Sequence, residues 1–301
     1  MPLRRTTLFV PGAMDEAAQR RIISTCGADL VCLDLEDTVV PPRKAEARQT
    51  IARLLTEDIW GRSDRAVRIN AAASPYAKDD LEAVLTGAAG RIDTILTSKG
   101  DIADEVRWVD DQITRIGQAG GFAHEHIKLC VGIESARALT DLDQIASASP
   151  RLECLGFAIG DLSISLGIPV AVFMKDRSLY PGDLFHFHRA RIVLAARTNG
   201  LLTMDAPWPI INDHATLAED ARWGVMMGFD GKLALSAEQI PVIHQAYRPT
   251  PEQIAHAEWT MEQYRKSADA GDGSVTADGE FIDPVVLGFA EKTLRRAAAP
   301  L

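Results

Sequence analysis

Eight short runs of strand-favouring residues recur along this chain, and a stretch long enough for a helix separates each from the next. The runs are Thr7–Val10, Leu30–Leu35, Ala66–Ile69, Thr94–Thr97, Leu129–Ile133, Leu155–Ile159, Leu201–Met204 and Lys232–Leu235. The stretches between them carry apolar residues three and four apart, as amphipathic helices do. This alternation predicts a parallel sheet, and eight units without a break in composition favour a closed (β/α)₈ TIM barrel over an open doubly wound sheet.

The residues that follow the predicted strands are unusually polar. The charged ones are Glu36, Asp37, Arg68, Lys99, Glu134, Asp161 and Asp205. Because the carboxyl ends of the strands meet at one mouth of such a barrel, six of the eight strands would present a charged side chain there. Any single residue among them could instead cap a helix or form a loop salt bridge. Their convergence predicts a substrate-binding site, to which we also assign Gly160.

Glu134 and Asp161 would stand on adjacent strands at that mouth. Two carboxylates with small residues nearby can bind a hard octahedral cation such as Mg²⁺ and leave positions for water and substrate oxygens. Arg68 would offer its planar guanidinium to a substrate carboxylate. The pattern therefore predicts a small oxo acid chelated by magnesium. A salt bridge from Arg68 to Glu36 or Asp37 is the alternative, and it is compatible with substrate binding because it would hold the guanidinium in position.

The two adjacent acids after the second strand also have a purely local interpretation. Asp37 or Thr38 could cap the helix that follows. Glu36 could pair with Lys44 or Arg48 on that helix. From these residues alone, the local interpretation is at least as well supported as a catalytic one.

Composition narrows the class of protein. Forty-two acidic residues against 32 basic ones give a net charge of -10, which disfavours binding to nucleic acid or to an anionic membrane. The hydrophobic fraction of 47% suffices for a substantial core. Nowhere do about 20 apolar residues run together, as a membrane-spanning helix needs. The four cysteines show no metal-binding spacing, so we expect buried free thiols and a cytoplasmic protein.

The sequence after the eighth predicted strand exceeds what a closed barrel needs. We therefore divide the chain into a catalytic barrel, residues 1–247, and a C-terminal helical extension, residues 248–301. Two helices joined by a glycine-rich hinge would form a lid, or an arm that packs on a neighbouring subunit.

Local signals place the elements of this extension. Thr250 and Gln253 form a capping box at the start of its first helix. The glycine-rich stretch 269–279 should be flexible. Asp283 followed by Pro284 predicts the N-cap and first residue of a last helix.

Eight segments, in order along nearly the whole chain, resemble the citrate lyase β-subunit-like group of the HpcH/HpaI aldolase family. They are Leu8-Phe-Val-Pro-Gly12, Leu33-Asp-Leu-Glu-Asp-Thr-Val39 with Lys44 and Ala47-Arg48, Val67-Arg-Ile-Asn70, Gly132-Ile-Glu-Ser135, Gly160-Asp-Leu162, Ala195-Ala-Arg-Thr-Asn-Gly-Leu201 with Asp205, Gly228-Phe-Asp-Gly-Lys232, and Phe281-Ile-Asp-Pro284. Their number and order argue against chance similarity.

The resemblance implies a (β/α)₈ barrel assembled as a homotrimer or homohexamer. It implies Mg²⁺-dependent cleavage or formation of a citryl-, malyl- or citramalyl-type 3-hydroxyacyl-CoA. The products would be an acetyl thioester and a 2-oxo acid such as oxaloacetate or glyoxylate. By the same resemblance, Glu134 and Asp161 bind the metal. Arg68 then binds the substrate carboxylate with support from Glu36, and Asp283, from a neighbouring subunit, is a catalytic acid or base.

Two departures from the family pattern leave alternatives open. The chain has Leu235-Ser-Ala237 where many members have an Ile-His-Pro segment, and its first helix offers only Arg20 and Arg21 to the phosphates of CoA. The thioester partner is therefore an acyl-CoA or an acyl-carrier protein. An aldolase of free 2-oxo acids and an acyl-CoA thioesterase are alternative enzymes, and a subunit that binds an oxo acid or carrier without turnover is the non-enzymatic alternative.

Overall fold

The structure, a computed structural model, describes residues 4–180 and 182–298. A closed barrel of eight parallel strands occupies the first part of the chain, each strand paired with the next and the last with the first. The barrel strands are β1 Thr6–Pro11, β2 Leu30–Asp34, β3 Asp64–Ile69, β4 Thr94–Thr97, β5 Lys128–Ile133, β6 Leu152–Phe157, β7 Leu202–Asp205 and β8 Gly231–Ala234. The prediction of a (β/α)₈ TIM barrel is confirmed.

Helices fill the connections between consecutive strands and follow the last one. They are α1 Glu16–Thr25, α2 Lys44–Thr56, α3 Ala77–Gly87, α4 Ala103–Gly120, α5 Ala136–Thr140, α6 Leu142–Ala146, α7 Ile159–Leu166, α8 Val170–Lys175, α9 His186–Thr198, α10 His214–Met227 and α11 Gln239–Tyr247, with short 3₁₀ helices at Pro41–Arg43 and Arg177–Leu179. These connections place the carboxyl ends of all eight strands at one mouth.

Helix α4 illustrates why these segments are helical and how they attach to the barrel. Its buried residues Val106, Val109, Ile113 and Ile116 are three or four positions apart, so they form one apolar stripe. Burial of each such side chain stabilises the fold by roughly 1.5–3 kcal/mol. The helix ends at Gly121, whose φ of 66° lies in the left-handed region that glycine adopts without strain.

Strand β2 shows why the barrel strands read as continuous apolar runs. All five of its residues are buried, because one face lines the lumen and the other faces the helices. Leu30 and Cys32 belong to the apolar cluster inside the lumen. Since side chains alternate along a strand, Asp34 points inward as well, at the carboxyl end. A carboxylate therefore stands at the upper end of the lumen.

The chain from His244 onward belongs to a second compact unit. Its elements are α12 Pro251–Asp269, β9 Val275–Ala277, β10 Glu280–Ile282 and α13 Pro284–Ala297. The predicted capping box is present, since Thr250 accepts a hydrogen bond from the Gln253 N–H and the Gln253 side chain accepts one from the Thr250 N–H. Within this unit α13 packs along α12. The role of the unit as a lid or arm stays a prediction.

The stretch 269–279, predicted to be flexible, contains half of a β-hairpin instead. Strands β9 and β10 pair in antiparallel fashion, with Val275 opposite Ile282. Asp278 and Gly279 connect them with φ angles of 50° and 85°. Two successive residues at positive φ form the turn that matches the twist of a two-residue hairpin, and Asp-Gly is its sequence signal. The glycine-rich composition around this pair hid the signal.

Two element boundaries were also predicted wrongly. The sixth strand ends at Phe157 rather than Ile159, because the chain turns directly into α7, a helix that the sequence pattern did not reveal. The stretch between the fifth and sixth predicted strands forms two short helices rather than one, and they meet at Asp141, whose φ of -92° and ψ of 11° are not helical. Asp161 consequently lies on a helix rather than immediately after a strand.

The four cysteines, Cys26, Cys32, Cys130 and Cys154, are free and buried. Burial raises the pKa of the Cys26 and Cys32 thiols, which keeps them in the unreactive protonated form. No helix among residues 4–180 and 182–298 is long and apolar enough to cross a membrane.

Candidate active site

Arg68 is fixed at the carboxyl end of β3 by three neighbours. Its Nε and Nη2 each lie 2.7 Å from an oxygen of Asp34, and its Nη1 lies 3.2 Å from Glu36 Oε2. The guanidinium also stands 4.8 Å from the centroid of the Phe9 ring. Burial alone would lower the pKa of Arg68, but the hydrogen bonds and charge of Asp34 outweigh burial and raise that pKa. Arg68 is therefore permanently charged, and two of its five N–H donors are left for a ligand.

Asp34 is a site residue that the sequence analysis missed. Besides Arg68, it accepts hydrogen bonds from the Glu36 N–H at 2.9 Å and from the Thr38 hydroxyl at 2.7 Å. Burial would raise the pKa of Asp34, but Arg68 lowers it. The available signal was a lone carboxylate within an apolar strand, because a buried acid needs a cationic partner. Arg68 is the residue in register with it on the next strand.

Lys99 joins the end of β4 to the same network. Its ammonium group binds Glu36 and lies 3.1 Å from Asp37 Oδ1. Lys99 has a φ of 50°, a left-handed conformation that costs a non-glycine residue roughly 1–2 kcal/mol. Burial would lower the pKa of Lys99, but the two carboxylates raise it. Burial raises the pKa of Glu36 in spite of its two cationic neighbours.

Glu134, which follows β5, is almost completely buried. Gly132 makes this position possible, because a Cβ there would come within 2.2 Å of Glu134 Oε1. Within the described part of the chain, Glu134 Oε2 has no hydrogen-bond partner. Burial, with the negative charges of Glu36 and Asp161, raises the pKa of Glu134 to about 7. A buried carboxylate oxygen without a partner is costly, so this oxygen marks the place of a proton or a cation.

Asp161 lies in the first turn of α7, where the helix dipole favours a negative charge. It approaches Glu134 closely enough for its charge to contribute to the raised pKa of Glu134. At the neighbouring Gly160, an added Cβ would meet nothing within 4 Å, so open space lies beside Asp161. These three residues and Arg68 line one cavity of about 200 Å³ at the strand ends.

Carboxylates outnumber cations at this mouth. The acidic side chains are Asp34, Glu36, Asp37, Glu134 and Asp161, and the basic ones are Arg68 and Lys99. A divalent cation would offset most of the negative surplus. Among the residues that the structure describes, no three His, Cys, Asp or Glu side chains form a metal cluster. The residues fit Mg²⁺, which is often held by one or two carboxylates and otherwise by water and substrate oxygens.

Glu36, Asp37 and Lys99 adjoin Arg68 but do not themselves line this cavity, and Asp205, also predicted to bind substrate, lies apart from it. The oxygens of Asp205 lie 3.0 and 3.2 Å from Nε and Nη2 of Arg189, and Lys232 Nζ lies 3.0 Å from Oδ2. Asp220 completes a buried ion cluster by binding both cations at 2.5 and 2.9 Å. Burial would raise the pKa of Asp220, but Lys232 and Arg189 lower it to about 2. The geometry therefore assigns Asp205 to a structural cluster.

The two predicted phosphate contacts differ in availability. Arg20 donates from Nε and Nη2 to Glu57, each at 2.7 Å, and Nη2 also binds Glu16. Its guanidinium is thus held by two carboxylates on the outside of the barrel. Arg21 is exposed. The role of Arg21 as a phosphate contact stays a prediction.

The local interpretation of Glu36 as a partner of Lys44 or Arg48 was wrong. Lys44 Nζ binds backbone carbonyls of the β2–α2 turn and Asn70 Oδ1 at 2.8 Å. Arg48 Nε lies 2.7 Å from Asp80 Oδ1. With both helix cations engaged elsewhere, Glu36 is left for the network at the mouth.

Asp283 caps the last helix, as its sequence context predicts. Its Oδ1 accepts hydrogen bonds from the N–H groups of Val285 at 2.9 Å and Val286 at 3.0 Å. Both bonds involve the same oxygen, which leaves Oδ2 for a second role. The catalytic role of Asp283 stays a prediction.

The chain is similar in sequence to proteins of one family. A family model described as HpcH/HpaI aldolase/citrate lyase matches residues 5–237. The L-malyl-CoA/beta-methylmalyl-CoA lyase of Cereibacter sphaeroides (strain ATCC 17025 / ATH 2.4.3) is 30% identical over 97% of this chain and 94% of its own. The citrate lyase subunit beta of Escherichia coli K12 is 33% identical over 98% of this chain and 93% of its own.

Solved structures of similar proteins share the architecture. The protein CitE from Mycobacterium tuberculosis, in complex with magnesium, acetoacetate and coenzyme A, superposes with a TM-score of 0.77 at 29% identity, covering 99% of both chains. A citrate lyase beta subunit from M. tuberculosis, complexed with oxaloacetate and magnesium, has a TM-score of 0.66 at 28% identity, covering 82% of this chain and 98% of its own. A citrate lyase from Burkholderia xenovorans LB400 has a TM-score of 0.86 at 21% identity, covering 99% of this chain and 92% of its own, and supports the fold alone.

Proposed function

The chain belongs to the HpcH/HpaI aldolase/citrate lyase family, and we propose that it is a Mg²⁺-dependent carbon–carbon lyase acting on a CoA thioester. Its substrate is a 3-hydroxyacyl-CoA of the citryl, malyl or citramalyl type. The products are an acetyl thioester and a 2-oxo acid such as oxaloacetate or glyoxylate. The observation that carries this proposal is that the fixed cation Arg68 and the partnerless carboxylate oxygen of Glu134 border one cavity. Relatives named as lyases, and complexes holding magnesium with oxo acids, support it.

The oxo-acid half of the substrate is positioned by the residues at the mouth. Glu134 and Asp161 would hold Mg²⁺, which when bound supplies a Lewis acid for the substrate hydroxyl and carbonyl oxygens. Arg68 binds the substrate carboxylate with its two remaining N–H donors. Because Asp34 and Glu36 already fix the guanidinium, little conformational freedom is lost on binding.

Cleavage of the carbon–carbon bond requires two proton transfers. A base accepts the hydroxyl proton, the electrons of the breaking carbon–carbon bond move into the thioester carbonyl to form an enolate, and the enolate carbon then receives a proton to give the acetyl group. We assign that second transfer to Asp283, contributed by the C-terminal extension of a neighbouring subunit in a homotrimer or homohexamer. In the synthetic direction Asp283 removes the same proton. Its capping bonds through Oδ1 orient the carboxylate for this role.

Calorimetric titration tests this assignment. Mg²⁺ and then glyoxylate are titrated into the wild type, into Glu134→Ala, and into Glu258→Ala, a control that removes an exposed glutamate on α12. We expect Mg²⁺-dependent glyoxylate binding in the wild type and the control, and its loss in Glu134→Ala. Absence of metal-dependent binding in the wild type would refute both the lyase and the aldolase of free oxo acids.

A panel of CoA thioesters, analysed by mass spectrometry, then separates the enzyme classes. A lyase releases acetyl-CoA and a 2-oxo acid. A thioesterase releases free CoA and the intact hydroxy acid, whereas an aldolase turns over only free 2-oxo acids. Parallel assays with an acyl-carrier protein determine which thioester the enzyme uses, and loss of CoA binding in Arg21→Ala would support a phosphate contact at that residue.

A further inference from the structure

The lumen of the barrel below the proposed site is partly empty. In a TIM barrel, layers of bulky side chains normally fill the interior. Here the cavity that begins at Arg68 and Glu134 extends down to Leu30 and Thr7, near the amino ends of β1 and β2. One cavity of about 200 Å³ therefore joins the charged mouth to the apolar interior.

Small residues on two adjacent strands border this space. Cys130 on β5 and Cys154 on β6 lie in register, and Gly156 occupies the next inward position of β6. An added Cβ at Gly156 would meet only Cys130 Sγ and Val131 O, each at 3.8 Å, which is ordinary van der Waals contact. Packing of the barrel does not require glycine at this position.

The walls of the lumen are mostly apolar, and the charged side chain among them is already paired with carboxylates. Below the mouth, Arg4 is the one charged side chain among the described residues that line the cavity. Arg4 Nη2 lies 3.0 Å from Asp64 Oδ2, and Nη1 binds Glu153. A cavity of this size with apolar walls can hold a hydrocarbon group. A buried carboxylate would find no unpaired cation in it.

Resting on the proposed function, we propose that the lumen receives the side chain of the 2-oxo acid and that this side chain is an alkyl group of up to about three carbons. The carbon that becomes the keto carbon carries four substituents. Its carboxylate is held by Arg68, and its hydroxyl oxygen faces Glu134 and Asp161. The thioester arm is too long for the cavity and leaves through the mouth. The remaining substituent points into the lumen.

The cavity volume limits the size of that substituent. A cavity of about 150 Å³ binds benzene, with six carbons, so about 200 Å³ accepts roughly eight heavy atoms. The carboxylate, the keto carbon and its oxygen account for roughly five of them, and a bound Mg²⁺ with its waters takes part of the same cavity, so about three carbons is the upper limit. The substrate is then a longer homologue of the citramalyl type, and 2-oxopentanoate is a better partner than oxaloacetate, whose second carboxylate would enter the apolar lumen.

Calorimetry with Mg²⁺ and four oxo acids tests this inference. Glyoxylate, pyruvate, 2-oxopentanoate and oxaloacetate are titrated into the wild type, into Gly156→Ala, and into Ala119→Val, a control at the exposed end of α4. We expect affinity to rise about fourfold per added carbon from glyoxylate to 2-oxopentanoate, as burial of apolar area predicts. Gly156→Ala should reduce the ratio of 2-oxopentanoate affinity to glyoxylate affinity by about fourfold or more, and Ala119→Val should preserve it.

The outcomes separate the inference from the proposed function. If none of the four acids binds, the function proposed for the site fails and the inference fails with it. If glyoxylate binds but 2-oxopentanoate binds more weakly than pyruvate or oxaloacetate, the function stands and the lumen does not receive the side chain. An unchanged affinity ratio in correctly folded Gly156→Ala, judged by circular dichroism, also overturns the inference. The wild-type series decides the matter should a variant fail to fold.

Discussion

Replacing Glu134 by glutamine should stabilise the metal-free protein by an amount that grows as the pH rises from 4.5 and levels off above about 7. The pKa of Glu134 is about 7 in the folded protein against 4.5 for the free side chain. Below pH 4.5 the group is protonated in both states and contributes nothing. Between these pH values the folded state binds the extra proton, so the free energy of unfolding falls as the pH rises. At about 1.4 kcal/mol per pKa unit, ionisation of buried Glu134 lowers the free energy of unfolding by about 3 kcal/mol above pH 7.

Urea unfolding in EDTA, followed by circular dichroism from about pH 5 to about pH 8, measures this decrease. The difference in unfolding free energy between Glu134→Gln and the wild type should grow by about 2.5 kcal/mol over that range, because other titrating groups cancel in the comparison. Glu258→Gln, at an exposed position, should show no such trend. Adding Mg²⁺ above pH 7 should stabilise the wild type but not Glu134→Gln. A difference that is constant with pH would refute the burial argument for Glu134.

Three further perturbations test other parts of the arrangement. Asp34→Asn removes the charge that orients Arg68, so the KM for the oxo acid should rise about tenfold to a hundredfold in steady-state assays. An unchanged KM would contradict the orienting role of Asp34. Lys232→Met leaves buried carboxylates with one cation fewer and should cost about 3–5 kcal/mol in urea unfolding, whereas a cost below about 1 kcal/mol would show that the cluster is not structural. Mixing inactive Asp283→Ala and Glu134→Ala subunits should restore activity through hybrid sites, and no recovery after verified subunit exchange would count against the shared site.

The sequence predicted the barrel because parallel strands buried on both faces leave an unmistakable pattern of short apolar runs. The predicted bounds of the strand Thr94–Thr97 agree with the structure at both ends. The sequence also predicted which strand ends carry charge, and the structure brings Arg68, Glu134 and Asp161 to one cavity. The hairpin at Asp278 was missed because composition was weighed above a two-residue turn signal.

The direction in which a strand-end carboxylate points is the part that the sequence could not give. Asp34 and Asp205 end their strands in the same local context, yet Asp34 faces the lumen and Asp205 faces the outer layer. Cys32 and Met204 both lie in the lumen cluster. Because side chains alternate along a strand, Asp34, two positions after Cys32, points inward, whereas Asp205, one position after Met204, points outward. In a strand buried on both faces, hydrophobicity does not reveal this parity. Which residues of such a strand face the lumen depends on its pairing register with the neighbouring strands.

Two buried carboxylates of the same barrel show how the functional one is recognised. Glu134 and Asp220 are both largely buried, and burial by itself would raise the pKa of each. Lys232 and Arg189 reverse that effect for Asp220, whose pKa falls to about 2, and the ion cluster is complete without a ligand. For Glu134 no bonded cation does so, and one oxygen lacks a partner among the described residues. The same fold therefore neutralises one buried acid with its own cations and leaves the other beside a cavity without such a partner. Glu134 can be neutralised there by a bound cation or a proton, and this is the physical reason for placing the chemistry at Glu134.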